Sequence, residues 1–136
     1  LAGEKIPVYG TGSNVRDWIH VIDHNIGVDL IVRNGRDGEV YNLGGHSERT
    51  NLEVVKTILK QLGKSEDLIT FVEDRKGHDL RYAIDSSKVE KELGWDRTYT
   101  FEQGIKETVD WYLNNQDWIN NILSGDYKNA YRGDDE

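Results

Sequence analysis

Two segments concentrate the side chains best suited to holding an anion. Gly10-Thr11-Gly12-Ser13-Asn14-Val15-Arg16-Asp17 begins with glycines and small polar residues, which leave backbone N–H groups open, and then supplies an arginine. The planar guanidinium fork of arginine matches phosphate oxygens. The competing reading is a hairpin loop in which Arg16 pairs with Asp17. Asp74-Arg75-Lys76-Gly77-His78-Asp79-Leu80-Arg81 gathers three cations and a histidine between two expected strands. Loops on a rigid frame commonly carry binding groups; a merely solvated loop is the alternative. Together Arg16, Arg75, Lys76, His78 and Arg81 offer enough positive charge to hold a diphosphate. Asn51 adds an amide suited to a base or a sugar hydroxyl, and equally to a local helix cap.

Other chemistries find less support. Gly10-Thr11-Gly12 starts like a dinucleotide-binding fingerprint, but Val15 stands where a third glycine belongs, so a turn is expected. No phosphate-binding loop ends in Lys-Ser or Lys-Thr. His20 and His24 are four apart, but Val21 stands where a zinc protease needs glutamate. With no third ligand indicated, no metal site is expected. Asp17, Asp23, Asp74 and Asp79 could supply paired carboxylates, although in an acidic chain most such groups are surface groups. The absence of cysteine removes disulfides, thiolate metal sites and thiol nucleophiles together.

These segments need elements to position them. Val8-Tyr9 reads as a short extended segment entering a turn, and residues 18–22 read as an apolar strand. From Asp23, a candidate cap, Ile26, Leu30 and Ile31 fall at helical intervals, and Gly35 can stop the helix. Residues 39–43, 69–72 and 81–84 read as further strands. Thr50/Glu53, Ser87/Glu90 and Thr100/Gln103 have the form of capping boxes, with Gly63 and Gly94 as stops for the first two helices. Leu52, Val55, Leu59 and Leu62 share one face of the first. Phe101, Ile105, Val109 and Tyr112 share a face of the last, which is expected to run past Trp118 to Ile122. Short strands alternating with helices predict an α/β layered domain with a small sheet.

The bulk composition agrees. The 136 residues are 36% hydrophobic and 31% charged, with four Trp and seven Tyr, which suits one folded domain. A net charge of −8 argues against a general nucleic-acid binder, because duplexes are held through lysine and arginine. No run approaches the roughly 18 apolar residues of a membrane span, and no signal peptide is visible, so a cytoplasmic location is expected. The chain contains no methionine, so Leu1 is not expected to be a translation start. Asp134-Asp135-Glu136 reads as a solvated end.

The segments, taken with their surroundings, resemble a known family. The run from Pro7 to His24 (PVYGTGSNVRDWIHVIDH) resembles a stretch of the extended short-chain dehydrogenase/reductase enzymes that act on nucleotide sugars. Glu39 to Gly45 (EVYNLGG), followed by Asn51-Leu52, continues the likeness. Asp74 to Asp85 (DRKGHDLRYAID) narrows it to the dTDP-glucose 4,6-dehydratase family, and Glu92-Leu93-Gly94-Trp95 and Thr100 to Ile105 agree. The likeness extends to about Trp118.

The resemblance implies a small C-terminal substrate domain of an extended short-chain dehydrogenase/reductase, α/β with short strands and helices, the Rossmann core missing. It implies a sugar-nucleotide-binding domain over 1–123 and a polar C-terminal tail over 124–136. The family reaction oxidises C4 of glucose, eliminates water across C5 and C6 and returns the hydride to C6. NAD is expected to be bound by the missing N-terminal part, and a dTDP-sugar is the expected substrate. By position, Pro7, Val8 and Tyr9 line the nucleotide pocket, Arg16 binds diphosphate, and Asn51 sits at the nucleotide. The loop Asp74, Arg75, Lys76, Gly77 and His78 closes over diphosphate and nucleoside, with Arg75 and His78 leading. Lys76 departs from the proline of many members, and the loop is expected to be looser for it.

The family's catalytic Tyr-x-x-x-Lys pair and Asp-Glu dyad are expected before Leu1. None of Tyr9, Tyr41, Tyr82, Tyr99, Tyr112 or Tyr127 has lysine four residues on. The chain alone is therefore expected to be inactive. Its expected partner is the N-terminal Rossmann domain of the same enzyme, and alone it is expected to self-associate. Two alternatives stay open: a stand-alone nucleotide-sugar-binding module without catalysis, and a relative acting on a UDP- or GDP-sugar as epimerase or decarboxylase.

Overall fold

The structure, a computed structural model, describes residues 1–125. Among these residues, two small sheets and five helices alternate. Strand β1 (Ile6–Tyr9) pairs in parallel with β4 (Ile69–Val72), in the register Ile6 to Ile69 through Tyr9 to Val72. Strand β2 (Val15–Asp17) pairs antiparallel with β3 (Glu48–Thr50). Helices α1 (Val21–Asn34), α2 (Asn51–Gln61), α3 (Ser87–Leu93), α4 (Phe101–Asn114) and α5 (Gln116–Ser124) complete it, with one 3-10 turn at Glu66–Leu68. The α/β expectation, with short strands, holds.

Local chemistry sets several boundaries. Thr50 accepts from the Glu53 N–H at 3.1 Å while the Glu53 carboxylate accepts from the Thr50 N–H at 2.7 Å, closing a capping box that starts α2. Thr100 and Gln103 repeat the arrangement at α4. Gly94, at φ 70°, ends α3 in the left-handed conformation that favours glycine. Val54 and Leu59 bury the inner face of α2, while Val89, Trp95 and Val109 carry the core beneath α1, α3 and α4.

Several expected elements differ. The strand over 18–22 is replaced by β2, which ends at Asp17; Trp18 makes one last bond to the Ser47 carbonyl, and α1 begins at Val21 with His20 as its cap. Asp23 is no cap. It lies inside α1 at 1% exposure and accepts from the Thr98 N–H and hydroxyl and from the Tyr99 N–H at 2.6–3.0 Å. Residues 39–43 form no strand, because no strand lies alongside; Lys88 instead donates to the Val40 carbonyl. Residues 81–84 reduce to one bridge between Val15 and Arg81.

The Ser87/Glu90 box does not form. Ser86 caps α3, and its buried hydroxyl is taken by the Gly44 N–H at 2.7 Å, while Asp85 accepts from the Ser87 N–H. The last helix breaks at Asn115, whose side chain turns back to the Trp111 carbonyl, so α4 and α5 are separate. Val54, rather than Val55, is the buried valine of α2. The tail expected over 124–136 begins within α5 and beyond Gly125 lies outside the described residues.

Candidate functional site

The two anion-suited segments meet in space. The strap of residues 73–82 leaves the end of β4, crosses the end of β1 and lands on β2. At its near end the Gly10 N–H donates to the Val72 carbonyl at 2.9 Å. At its far end Val15 donates to the Leu80 carbonyl at 2.8 Å, and Tyr82 donates to the Val15 carbonyl at 3.0 Å. Two side chains reinforce this landing: Asn14 Nδ2 and Arg16 Nη2 each donate to the Asp79 carbonyl at 3.1 Å.

Gly10 and Gly12 make the crossing possible. They sit at φ 55° and 72°, in the turn that joins β1 to β2. A Cβ on Gly10 would come within 2.9 Å of Asp74 Oδ2; one on Gly12 would meet Val8 Cγ1 at 2.7 Å and Leu52 Cβ at 2.9 Å. The glycines thus let the strap and α2 approach this turn closely.

Tyr9 lies beneath the strap, half exposed. The Arg75 guanidinium stands over its ring at 5.4 Å, and the His78 ring meets it edge-on at 6.2 Å. His78 Nδ1 lies 2.6 Å from Asp74 Oδ1, and the Arg75 N–H donates to the same oxygen at 2.8 Å. These contacts, His78 foremost, hold the Asp74 carboxyl below its ordinary pKa. The His78 side chain is only 3% exposed, although the strap around it faces solvent. Lys76 is exposed and has no ion-pair partner among the described residues. Gly77, at φ 70°, turns the strap beside it.

The remaining expected residues divide. Arg16 is half-buried, donates to the carbonyls of Val15 and Asp79, and lies over the Tyr82 ring at 5.3 Å. It does not pair with Asp17, whose carboxylate accepts from the N–H groups of His46 and Ser47. Arg81 is committed to Glu48 at 2.6 Å, which removes it from the free cations. Pro7 is exposed on β1, where a missing N–H is tolerated at a sheet edge. Val8 is buried, 4% exposed as a whole residue, and packs within the core. Asn51 opens α2, and its N–H is bound to the Asn14 carbonyl at 3.0 Å.

Pattern reading passed over Asn14 and Tyr82. A small polar residue in a glycine-rich turn reads as solvent-facing, whereas Asn14 is 5% exposed. The alternation from Arg81 to Ile84 carried the only signal for Tyr82, as a strand residue.

A separate cleft of about 600 Å³ lies between the start of α1 and helices α4 and α5, walled by Trp18, His20, Tyr99, Trp111, Tyr112 and Trp118. None of the expected substrate contacts lines it. His20 Nδ1 is buried there without a hydrogen-bond partner, its ring stacked on Tyr99 at 3.9 Å.

Comparison with known proteins places this arrangement. The family model described as GDP-mannose 4,6 dehydratase matches residues 1–108. The chain is 53% identical over 137 residues to the dTDP-glucose 4,6-dehydratase of Xanthomonas campestris pv. campestris, covering 94% of this chain and 39% of that protein. The solved dTDP-glucose 4,6-dehydratase of Bacillus anthracis, in complex with NAD, matches with a TM-score of 0.79 and 52% identity, over 85% of this chain and 37% of that one. The Streptomyces venezuelae dTDP-glucose 4,6-dehydratase, with NAD bound, matches with a TM-score of 0.81 and 45% identity, over 85% of this chain and 36% of that one.

The chain thus spans about two fifths of the length of the relatives it matches. The Gly10–Gly12 turn leads into β2, not into the helix N-terminus that faces a bound pyrophosphate. With the family model covering most of the described residues, and homology to the dTDP-glucose 4,6-dehydratases covering 94% of the sequence, the chain belongs to the GDP-mannose 4,6 dehydratase family of extended short-chain dehydrogenases/reductases.

Proposed function

We propose that this chain is the sugar-nucleotide-binding portion of a dTDP-glucose 4,6-dehydratase, which converts dTDP-glucose to dTDP-4-keto-6-deoxyglucose and water. The observation that carries the reading is the strap: Arg75 and His78 are drawn over Tyr9, Lys76 is exposed between them in sequence, and the strap is tied at Asp79 to Arg16. Cations and an aromatic face in one place suit a nucleoside diphosphate, and the chain is otherwise acidic.

In this reading Arg16 binds the diphosphate, and Arg75 and His78 contact diphosphate and nucleoside. Asp74 orients His78, Gly77 supplies the turn, and Lys76 adds an uncommitted charge. Pro7, Val8 and Tyr9 line the nucleoside side, and Asn51 faces the nucleotide. Residues 1–123 form this binding domain, with a polar tail over 124–136. NAD and the catalytic residues belong to the part of the longer enzyme outside this chain, so the chain alone is inactive.

That missing part is also the partner. Helix α1 packs Gly27 against Leu43 and Trp95, yet Ile22, Ile26, Val28 and Val32 on its other sides are exposed. Large apolar side chains exposed together on one helix mark a contact surface, although Asn25, Asp29 and Arg33 are exposed among them. We assign this face, with Val40 and the aromatic cleft, to docking of the Rossmann domain, and to self-association when that domain is absent. The enzyme acts in the cytoplasm; no helix among the described residues is long and apolar enough to cross a membrane.

Calorimetric titration of the protein with dTDP, UDP and GDP tests the reading. Tightest binding is expected for dTDP, with Arg16→Ala weakening it about tenfold, the loss of one charge-assisted contact. No binding of any nucleotide would sink the proposal, and a preference for UDP or GDP would move the chain to the epimerase or decarboxylase relatives.

A further inference from the structure

We propose that Asn14 is a positioning residue: it holds the 73–82 strap on β2 so that Arg16 can leave the strap for a ligand phosphate. This rests on the sugar-nucleotide reading of the site. The Asp79 carbonyl accepts from two side chains at the same distance, 3.1 Å, but the two donors are unlike. Asn14 is 5% exposed, and its own carbonyl is bound by the first N–H of α2. Its amide is fixed by the fold and has nowhere else to go. Arg16 is half-buried on a long side chain, set over Tyr82, and among the described residues otherwise bonded only to the neighbouring Val15 carbonyl.

A carbonyl oxygen has two lone pairs, so it accepts both donors at once and is not orphaned when one leaves. A guanidinium that moves from a neutral carbonyl to a phosphate gains a charge-assisted bond, roughly twice as strong. Arg16 is therefore the exchangeable tether and Asn14 the permanent one. The main-chain bonds at Leu80 and Tyr82 anchor the strap beyond residue 79. The side-chain bonds to Asp79 control the part before it, which holds Asp74, Arg75 and His78. With Asn14 present, Arg16 can bind phosphate while the strap stays over Tyr9. Without it, phosphate capture by Arg16 removes the last side-chain bond to the Asp79 carbonyl, and ligand binding competes with strap order.

Limited trypsin digestion reads this directly, because Arg75 and Lys76 are exposed cleavage points within the strap. In the ligand-free full chain, Asn14→Ala and Arg16→Ala are each expected to speed cleavage after Arg75 and Lys76 no more than about threefold. The double variant is expected to speed it by tenfold or more, since two bonds to one carbonyl couple. Cleavage after Lys60, at the end of α2, serves as the reference for general loosening. Addition of dTDP is expected to protect the strap in the wild type and to fail to protect it in Asn14→Ala, whose dTDP affinity falls about five- to tenfold. Strap cleavage in the double variant at the wild-type rate, or rising no more than cleavage after Lys60, would overturn the proposal. The ligand-free digestion does not depend on nucleotide binding. A wild type that shows the strap coupling but binds no dTDP would therefore refute the sugar-nucleotide reading and leave the double tether standing.

Discussion

Asp23→Asn should destabilise the fold by about 2–4 kcal/mol at neutral pH, a large share of a domain's usual 5–15. The carboxylate of Asp23 is 1% exposed and accepts three hydrogen bonds, from the Thr98 N–H at 3.0 Å, the Thr98 hydroxyl at 2.6 Å and the Tyr99 N–H at 3.0 Å. Asparagine keeps the shape and one acceptor oxygen, which can retain Thr98. Its amide group then turns an N–H toward the N–H of Tyr99 and leaves a buried donor unpaired, at about 1–3 kcal/mol, while the surviving bonds lose their charge assistance, about 1 kcal/mol more. Burial raises the pKa of Asp23, but the bonds from Thr98 and Tyr99, with His20 nearby, outweigh it and hold the group below 3.8. A carboxyl whose folded pKa is depressed binds fewer protons folded than unfolded in acid. Its stabilisation is present above about pH 4 and is lost as pH falls through the folded value. The test is urea unfolding of wild type and Asp23→Asn, followed by tryptophan fluorescence, at pH 7, 5 and 3. The gap should be full at pH 7 and 5 and should narrow at pH 3. Glu39, Glu53, Asp74 and Asp85 are also held below their ordinary values, but both proteins carry them, so the difference isolates Asp23. A variant within about 0.5 kcal/mol of wild type at pH 7, or a gap constant with pH, would refute the reasoning.

Two further outcomes concern the frame of the site and its missing neighbour. Gly12→Ala combines a left-handed backbone with overlap against Val8 and Leu52, and should cost about 2–4 kcal/mol in urea unfolding and weaken dTDP binding with it. The chain alone should sediment as a dimer or larger species at tens of micromolar, roughly the range of weak apolar association. Placing charge on the apolar side of α1 with Ile26→Glu and Val32→Glu should restore the monomer without changing dTDP affinity; a double variant that still self-associates would remove α1 from the contact.

What the sequence made legible follows the reach of each interaction. The boxes at Thr50/Glu53 and Thr100/Gln103 close over three residues, and both are present. Asp23 was misread as a cap because its partners lie some 75 residues away, and Ser86 was missed because Gly44 claims its hydroxyl across the fold. At the site, residue types announced the cations, but not which were already committed. Arg81 is neutralised by Glu48 from β3, a strand too short and polar to signal itself, while the buried amide of Asn14 looked like turn punctuation. The strand expected over 39–43 failed for another reason. Its alternation is that of a strand, yet Val40 is 75% exposed, and the segment's bonds are a turn bond from the Glu39 N–H to the Arg36 carbonyl and side-chain bonds such as that from Lys88. Beside it stands α1, where Ile22, Ile26, Val28 and Val32 are exposed among polar residues such as Asp29 and Arg33. The missing strand and the exposed apolar residues of α1 lie on neighbouring surface, which fits the docking face proposed above.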